Sequence, residues 1–145
     1  MHAEKRLPAC LHSVAAARAW VSRILDGYPD DVTETVTLCV SEAVTNAIRY
    51  SRSSLPREGG NLGEVILRLH NLPGCPLYVE VQDEGPLTPG SRPHVMDGSG
   101  PLAEHGRGMW LISTLAKQWT VMSEESATLL SMAFNTMPST GRAEP

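Results

Sequence analysis

The segment from Pro29 to Ser51 constrains this chain more than any other. Val36, Val40, Ala43, Val44 and Ala47 recur at three- and four-residue intervals, the spacing of a helix with one apolar stripe. Such a helix has to lay that stripe against another layer. Within it, Ser41-Glu42-Ala43-Val44-Thr45-Asn46-Ala47-Ile48-Arg49-Tyr50 places Glu42 and Asn46 four residues apart and off the stripe. Just over one helical turn separates them, so both project from one face. A carboxylate and a carboxamide so placed can take a proton from a hydroxyl and offer an oxygen to a hard metal ion. Standing alone, such a pair more often marks a solvated helix face. Arg49 falls on the same side, where it is either solvated or set to neutralise phosphate.

The neighbouring segments supply the other layer. Lys5 to Leu11 reads as a short edge strand. Val14, Ala17, Val21, Ile24 and Leu25 predict an earlier helix, with Ser13 as N-cap and Gly27 at its end. Arg52 to Leu62 holds Pro56, Gly59 and Gly60 and reads as a loop. Val65, Leu67 and Leu69 then alternate with Ile66, Arg68 and His70. Leu77, Val79 and Val81 alternate with Tyr78, Glu80 and Gln82, so the two runs predict a hairpin closed by a loop over Asn71 to Pro76. Glu84 to His105 is rich in proline and glycine without periodicity, the mark of a lid or binding loop. A third helix is expected to open at Gly106-Arg107-Gly108 and run to about Lys117. Strands follow over Trp119 to Met122 and Thr128 to Phe134. The expected architecture is α+β: a two-layer sandwich whose mixed, mostly antiparallel sheet is covered on one face by helices. One domain is expected over residues 1–137, with a polar tail over 138–145.

Composition narrows the function classes. The 145 residues carry a net charge of −4 and 5% aromatics, which speaks against a basic nucleic-acid surface or a base-stacking platform. Cys10, Cys39 and Cys75 match no zinc or redox spacing, and Cys39 inside the helix reads as a buried free thiol. With no apolar signal core and no run of membrane-spanning length, the expectation is a cytoplasmic chain. The five histidines lack a second ligand at metal spacing.

Two further places carry chemistry. Asp83 shares parity with Leu77, Val79 and Val81, so its carboxylate should point to the buried face, where an ionised acid needs donors. Gly85 follows at a point where backbone can approach a flat ring, and an acid beside it can accept from an exocyclic amine. A strand-end turn is the plainer reading of the same residues. Gly106 and Gly108 at a helix start would let backbone amides converge on an anion, although a lone G-x-G also describes a hinge. No G-x-x-x-x-G-K-[ST] loop is present.

Taken in order, Ser41-Glu42-Ala43-Val44-Thr45-Asn46-Ala47-Ile48-Arg49, Val81-Gln82-Asp83-Glu84-Gly85-Pro86 and His105-Gly106-Arg107-Gly108-Met109-Trp110-Leu111-Ile112, followed by a strand with Thr128, resemble the ATP-binding domain shared by gyrase, histidine kinases and the bacterial anti-sigma serine kinases. This is the gyrase/histidine-kinase-like ATPase superfamily, and the start Ser13-Val14-x-x-Ala17-Arg18 looks like its stand-alone anti-sigma branch. The resemblance implies ATP and Mg²⁺ as ligands, with Asn46 coordinating the metal and Glu42 as catalytic base. It implies that Asp83 accepts the adenine amino group with Gly85 beside it. Gly106, Arg107, Gly108 and Met109 would lie along the phosphates, Arg49 near them, and Thr128 in the adenine water network. The partners implied are a sigma factor and an anti-anti-sigma protein of the STAS type, with a homodimer in view and no direct contact with nucleic acid or membrane. The activity implied is phosphorylation of a serine or threonine on the anti-anti-sigma partner. A regulator that binds nucleotide and partner without phosphotransfer is the alternative, motivated by Pro86 at the lid start and Ser126-Ala127 before Thr128.

Overall fold

In the computed structural model the long amphipathic segment is the helix α2, Asp30–Tyr50, of 21 residues and about 31 Å. An earlier strand β1 (His2–Pro8) and helix α1 (His12–Ile24) precede it. After it come β2 (Glu64–Asn71), β3 (Leu77–Asp83), α3 (Ala103–Leu115), β4 (Gln118–Ser123) and β5 (Thr128–Phe134). The structure describes residues 1–55, 58–87, 103–124 and 126–136, with backbone alone for residues 58 and 103–107.

Pro29 precedes α2 in an extended conformation and sets its first turn. Asp30 and Asp31 in that turn and Arg49 in the last complement the helix dipole. Val36, Val40 and Val44 are fully buried, with Ala43 and Ala47 beside them, as the stripe requires. Small side chains there let the helix sit close on the sheet. α2 packs between α1 and α3 and rests on β2, β3 and β5.

The sheet order is β1-β2-β3-β5-β4. All four neighbouring pairs are antiparallel, which sharpens the expected mixed sheet into a purely antiparallel one. Val65, Leu67, Leu69, Leu77, Val79, Val81, Leu130 and Met132 point into the core beneath the helices. The opposite face is polar. There Arg68 Nε donates to Glu4 Oε1 at 2.9 Å and Arg68 Nη1 to Gln82 Oε1 at 3.0 Å, while His70 stacks on Tyr78 at 5.2 Å. The β2–β3 hairpin turns through Gly74 at φ 78°, and Asn71 Nδ2 closes it by donating to the carbonyl of Cys75 at 2.9 Å.

Three local expectations need correcting. The first strand runs from His2 to Pro8 rather than Lys5 to Leu11, because Ala3 and Lys5 pair with Leu69 and Leu67 of β2. Ser13 is not the N-cap of α1. Leu11 holds that position without a side-chain cap, and buried Ser13 donates its hydroxyl to the Pro8 carbonyl instead. Helix α3 begins at Ala103, so Gly106 and Gly108 lie inside it rather than at its opening. The segment over 52–62 also contains two short 3₁₀ turns, Arg52–Ser54 and Glu58–Gly60. Most of the expected lid, including His94, and the tail over 138–145 lie outside the described residues.

Candidate active site

β3 is the central strand of the sheet, and Asp83 is its last residue. Antiparallel pairing sets Asp83 directly opposite Thr128, the first residue of β5. The Asp83 carboxylate accepts from the backbone N–H of Gly85 at 2.8 Å. It also accepts from the Thr128 backbone N–H and hydroxyl. Burial nevertheless dominates, and the carboxyl is pushed up to about 6 against those three donors. An ionised carboxylate offers about four acceptor positions, so three donors leave room for one more. An exocyclic amine is a fitting fourth.

Gly85 is buried at φ 93°, a left-handed conformation that a side chain would strain. The turn therefore requires glycine here, and it curls the chain so that the Gly85 N–H meets Asp83. Thr128 is 3% exposed, and its hydroxyl lies 3.1 Å from that of Ser123. The approach through Ser126-Ala127 does not displace Thr128. The hairpin closes with Glu124 N–H donating to the Ala127 carbonyl at 2.8 Å, and the β5 register is kept.

The second wall is α2. Glu42 and Asn46 are both half-buried on α2, one turn apart, and Glu42 lies against α3. Gly108 of α3 sits against Glu42. A Cβ at Gly108 would stand 3.2 Å from Glu42 Oε2 and 3.3 Å from Glu42 Cβ, so a side chain there would push Glu42 aside by a few tenths of an ångström. The spacing of Gly106 and Gly108 suggested anion contacts. The contact at Gly108 was not legible from it, since nothing local ties α3 to α2. Beneath Glu42, Cys39 is fully buried, and its thiol is pushed up to about 12 by burial first and by the Glu42 charge second. The structure thus brings Glu42 and Gly108 together on one side, and Asp83, Gly85 and Thr128 together on the other. Arg49 is exposed near the end of α2. Met109 is 1% exposed with its side chain in the core, so only its backbone is left for a ligand. Gly106 and Arg107 lie in α3, but the Arg107 side chain is outside the described residues.

Sequence reasoning missed the strap that joins the two walls. Arg52 N–H donates to the Gly85 carbonyl at 2.7 Å, and Leu87 N–H to the Tyr50 carbonyl at 3.1 Å. Ser51 and Pro86 form an antiparallel bridge. The sequence signal was the three serines of Ser51-Arg52-Ser53-Ser54, which composition absorbs into a loop. At the far end of the α2–α3 pair a separate cleft of about 260 Å³ lies between Asp31, Thr35 and Lys117. It is remote from the residues above.

Among the described residues, an antiparallel sheet under three helices, with Asp83 at the end of the central strand and Glu42 and Asn46 on the long helix, defines a two-layer α+β sandwich. The chain matches the histidine kinase-like ATPase domain over residues 7–134 and belongs to that family. It is similar in fold to the crystal structure of the RsbU and RsbW domains of Rv1364c from Mycobacterium tuberculosis, at a TM-score of 0.70 and 13% identity. That match covers 93% of this chain and 32% of the other, so this chain spans about a third of its length. No curated protein sequence matches. Among the described residues no helix is long and apolar enough to cross a membrane.

Proposed function

We propose that this chain is an ATP-binding anti-sigma regulatory factor with serine/threonine protein kinase activity. Its acceptor would be a hydroxyl on an anti-anti-sigma partner, and its second role the sequestration of a sigma factor. The observation that carries the kinase reading is the placement of Glu42. Its carboxylate is half-buried against Gly108 of α3, one helical turn from Asn46 on α2.

The residues fit Mg²⁺-ATP. Asp83, with one acceptor position left beyond its three donors, would take the adenine amino group, and Gly85 would lie under the ring. Asn46 would give the metal a neutral oxygen of the kind a hard cation prefers. ATP, when bound, supplies the phosphoryl group. Glu42 would accept the proton of the attacking serine or threonine hydroxyl as its oxygen bonds to the γ-phosphorus and the bridge to the β-phosphate breaks, leaving ADP. Gly108 keeps the Glu42 carboxylate in place without crowding it. The RsbW domain in the similar structure supports the anti-sigma reading as a likeness of fold.

Glu42→Ala tests this. Phosphate transfer to the partner should disappear while Mg-ADP still binds within a few-fold of the parent affinity. A variant that retains full transfer would remove Glu42 from the role of base. Transfer-free partner binding by the parent protein would instead favour the regulator without chemistry.

A further inference from the structure

We propose that Ser53 is a positioning residue that holds the adenine end of the site in register with the metal-and-base wall. The inference rests on the nucleotide reading above. The two walls belong to different layers: Glu42 and Asn46 stand on α2, and Asp83 and Gly85 at the exit of β3. An adenine nucleotide spans both, so its affinity depends on their separation being fixed before it arrives.

The strap that fixes it converges on one side chain. Ser53 is 0% exposed and follows α2 by three residues. Its hydroxyl donates to the Glu64 carbonyl at 2.9 Å, at the start of β2, and accepts from the Glu84 N–H at 2.9 Å, between Asp83 and Gly85. Its own N–H is held by Ser51 Oγ at 3.1 Å, and its carbonyl accepts from Gly63 N–H at 2.7 Å. The hydroxyl and carbonyl of Ser53 are thus spent on joining the end of α2 to the start of β2 and to the turn after β3, while its N–H is tied back to Ser51. Glu84 closes the strap from the other side, where its Oε2 accepts from the Glu64 N–H at 2.7 Å. The fit is tight: a Cβ at Gly63 would overlap Glu84 Oε2 and lie 2.8 Å from Ser53 Cα and from its carbonyl oxygen. Among the described residues this is the place where all three segments are pinned to one another by side-chain bonds. The bonds of the Ser53 hydroxyl go to Glu64 and Glu84, neither of which is assigned to the nucleotide.

A merely structural hydroxyl and a positioning one differ in how they treat a short and a long ligand. Adenosine meets only the Asp83 end, and Mg-ADP meets both walls. Ser53→Ala leaves the Glu84 N–H and Glu64 carbonyl without their buried partner, and the end of α2 is then held to the turn after β3 by the backbone bonds of Arg52 and Leu87. The experiment measures Mg-ADP by calorimetry and adenosine by ligand-observed NMR, at a temperature where each variant is fully folded. Parent, Ser53→Ala, Glu84→Ala and the distant core variant Val21→Ala are compared. The expected result is about a tenfold weaker Mg-ADP affinity in both strap variants, with adenosine unchanged within about twofold and Val21→Ala binding both ligands like the parent. Should Ser53→Ala not fold, Glu84→Ala carries the same comparison. Equal losses for the two ligands, an unchanged Mg-ADP affinity, or a parent that binds Mg-ADP but shows no adenosine signal would overturn the positioning role. A parent that binds no Mg-ADP would instead sink the nucleotide reading, and this proposal with it.

Discussion

Asp83→Asn should make the protein more stable and less able to bind nucleotide. The carboxyl is raised from 3.8 to about 6, chiefly by burial at the end of β3. At neutral pH the folded chain therefore holds a charge it would sooner neutralise. Two units or so correspond to about 3 kcal/mol at most. The side chain is only half-buried and water screens part of that cost, so about 1–2 kcal/mol is the working figure. An asparagine carries no charge to desolvate, and its one oxygen can still accept from the Gly85 and Thr128 N–H groups while its amide N–H donates to the Thr128 hydroxyl, which turns to accept. For a domain of this size the gain is about 3–6 °C in thermal midpoint.

The pH dependence gives the sign independently. A folded-state value above the ordinary one means that the folded chain binds this proton more tightly than the unfolded chain. The parent's share of that stability is fully present below about pH 4 and is lost as pH rises through about 6. Parent and variant should therefore have similar midpoints near pH 4 and diverge up to about pH 6, with a constant gap above it. Nucleotide affinity runs the other way, because only the ionised carboxylate accepts freely from an exocyclic amine. Mg-ADP binding by the parent should weaken below about pH 6. In Asp83→Asn it should fall by about 10- to 100-fold, the worth of one hydrogen bond to a charged group. Thermal melts across pH 4–8 with calorimetric titration check both halves. A variant less stable than the parent at pH 7, or one that binds Mg-ADP as well, would refute the assignment of Asp83 as a strained acceptor for adenine.

Two other substitutions probe the opposite wall. Gly108→Ala places a methyl 3.2 Å from Glu42 Oε2, so the carboxylate has to shift by a few tenths of an ångström. Mid-helix alanine returns about 1 kcal/mol of helix propensity, so the midpoint should move little while phosphate transfer drops about tenfold, read by a melt and a radiolabel assay. Cys39, fully buried with its thiol pushed up to about 12, should resist a thiol reagent in the native protein while exposed Cys75 reacts at once. Labelling of Cys39 before global unfolding would show that the Glu42 wall opens locally.

Where one element's pattern decides, the fold was readable from the chain. Val36, Val40 and Val44 at helix spacing, and Val65, Leu67 and Leu69 at strand spacing, face one core because burying either stripe demands the other layer. Parity likewise put Asp83 on the face toward the helices, and β5 meets it with Thr128. Element ends were less legible. Ser13 has the composition of a cap, yet the Pro8 carbonyl claims its hydroxyl, a bond that depends on where β1 stops. Gly106 and Gly108 suggested a helix opening, whereas the glycine at 108 answers to Glu42, more than sixty positions away in sequence.

The same distinction runs through the site. Glu42 and Asn46 are neighbours by helix geometry, so their pairing is written locally. Asp83 and Gly85 are neighbours by a turn, also written locally. What relates the first pair to the second is the run from Tyr50 to Ser53 lying alongside Glu84 to Leu87, held by bonds between backbone atoms and one buried hydroxyl. Backbone donors and acceptors exist at almost every residue and leave no compositional trace, so such a strap is invisible until the chain is folded. Its consequence is mechanical. Pro86 and Leu87, which follow the turn after β3, are fastened to the end of the helix that bears Glu42. A displacement at Leu87 is therefore passed to the α2 terminus. Pro86 lacks a donor, but it sits in a bridge whose hydrogen bonds are made by Arg52 and Leu87 on either side, so the strap loses no bond to it.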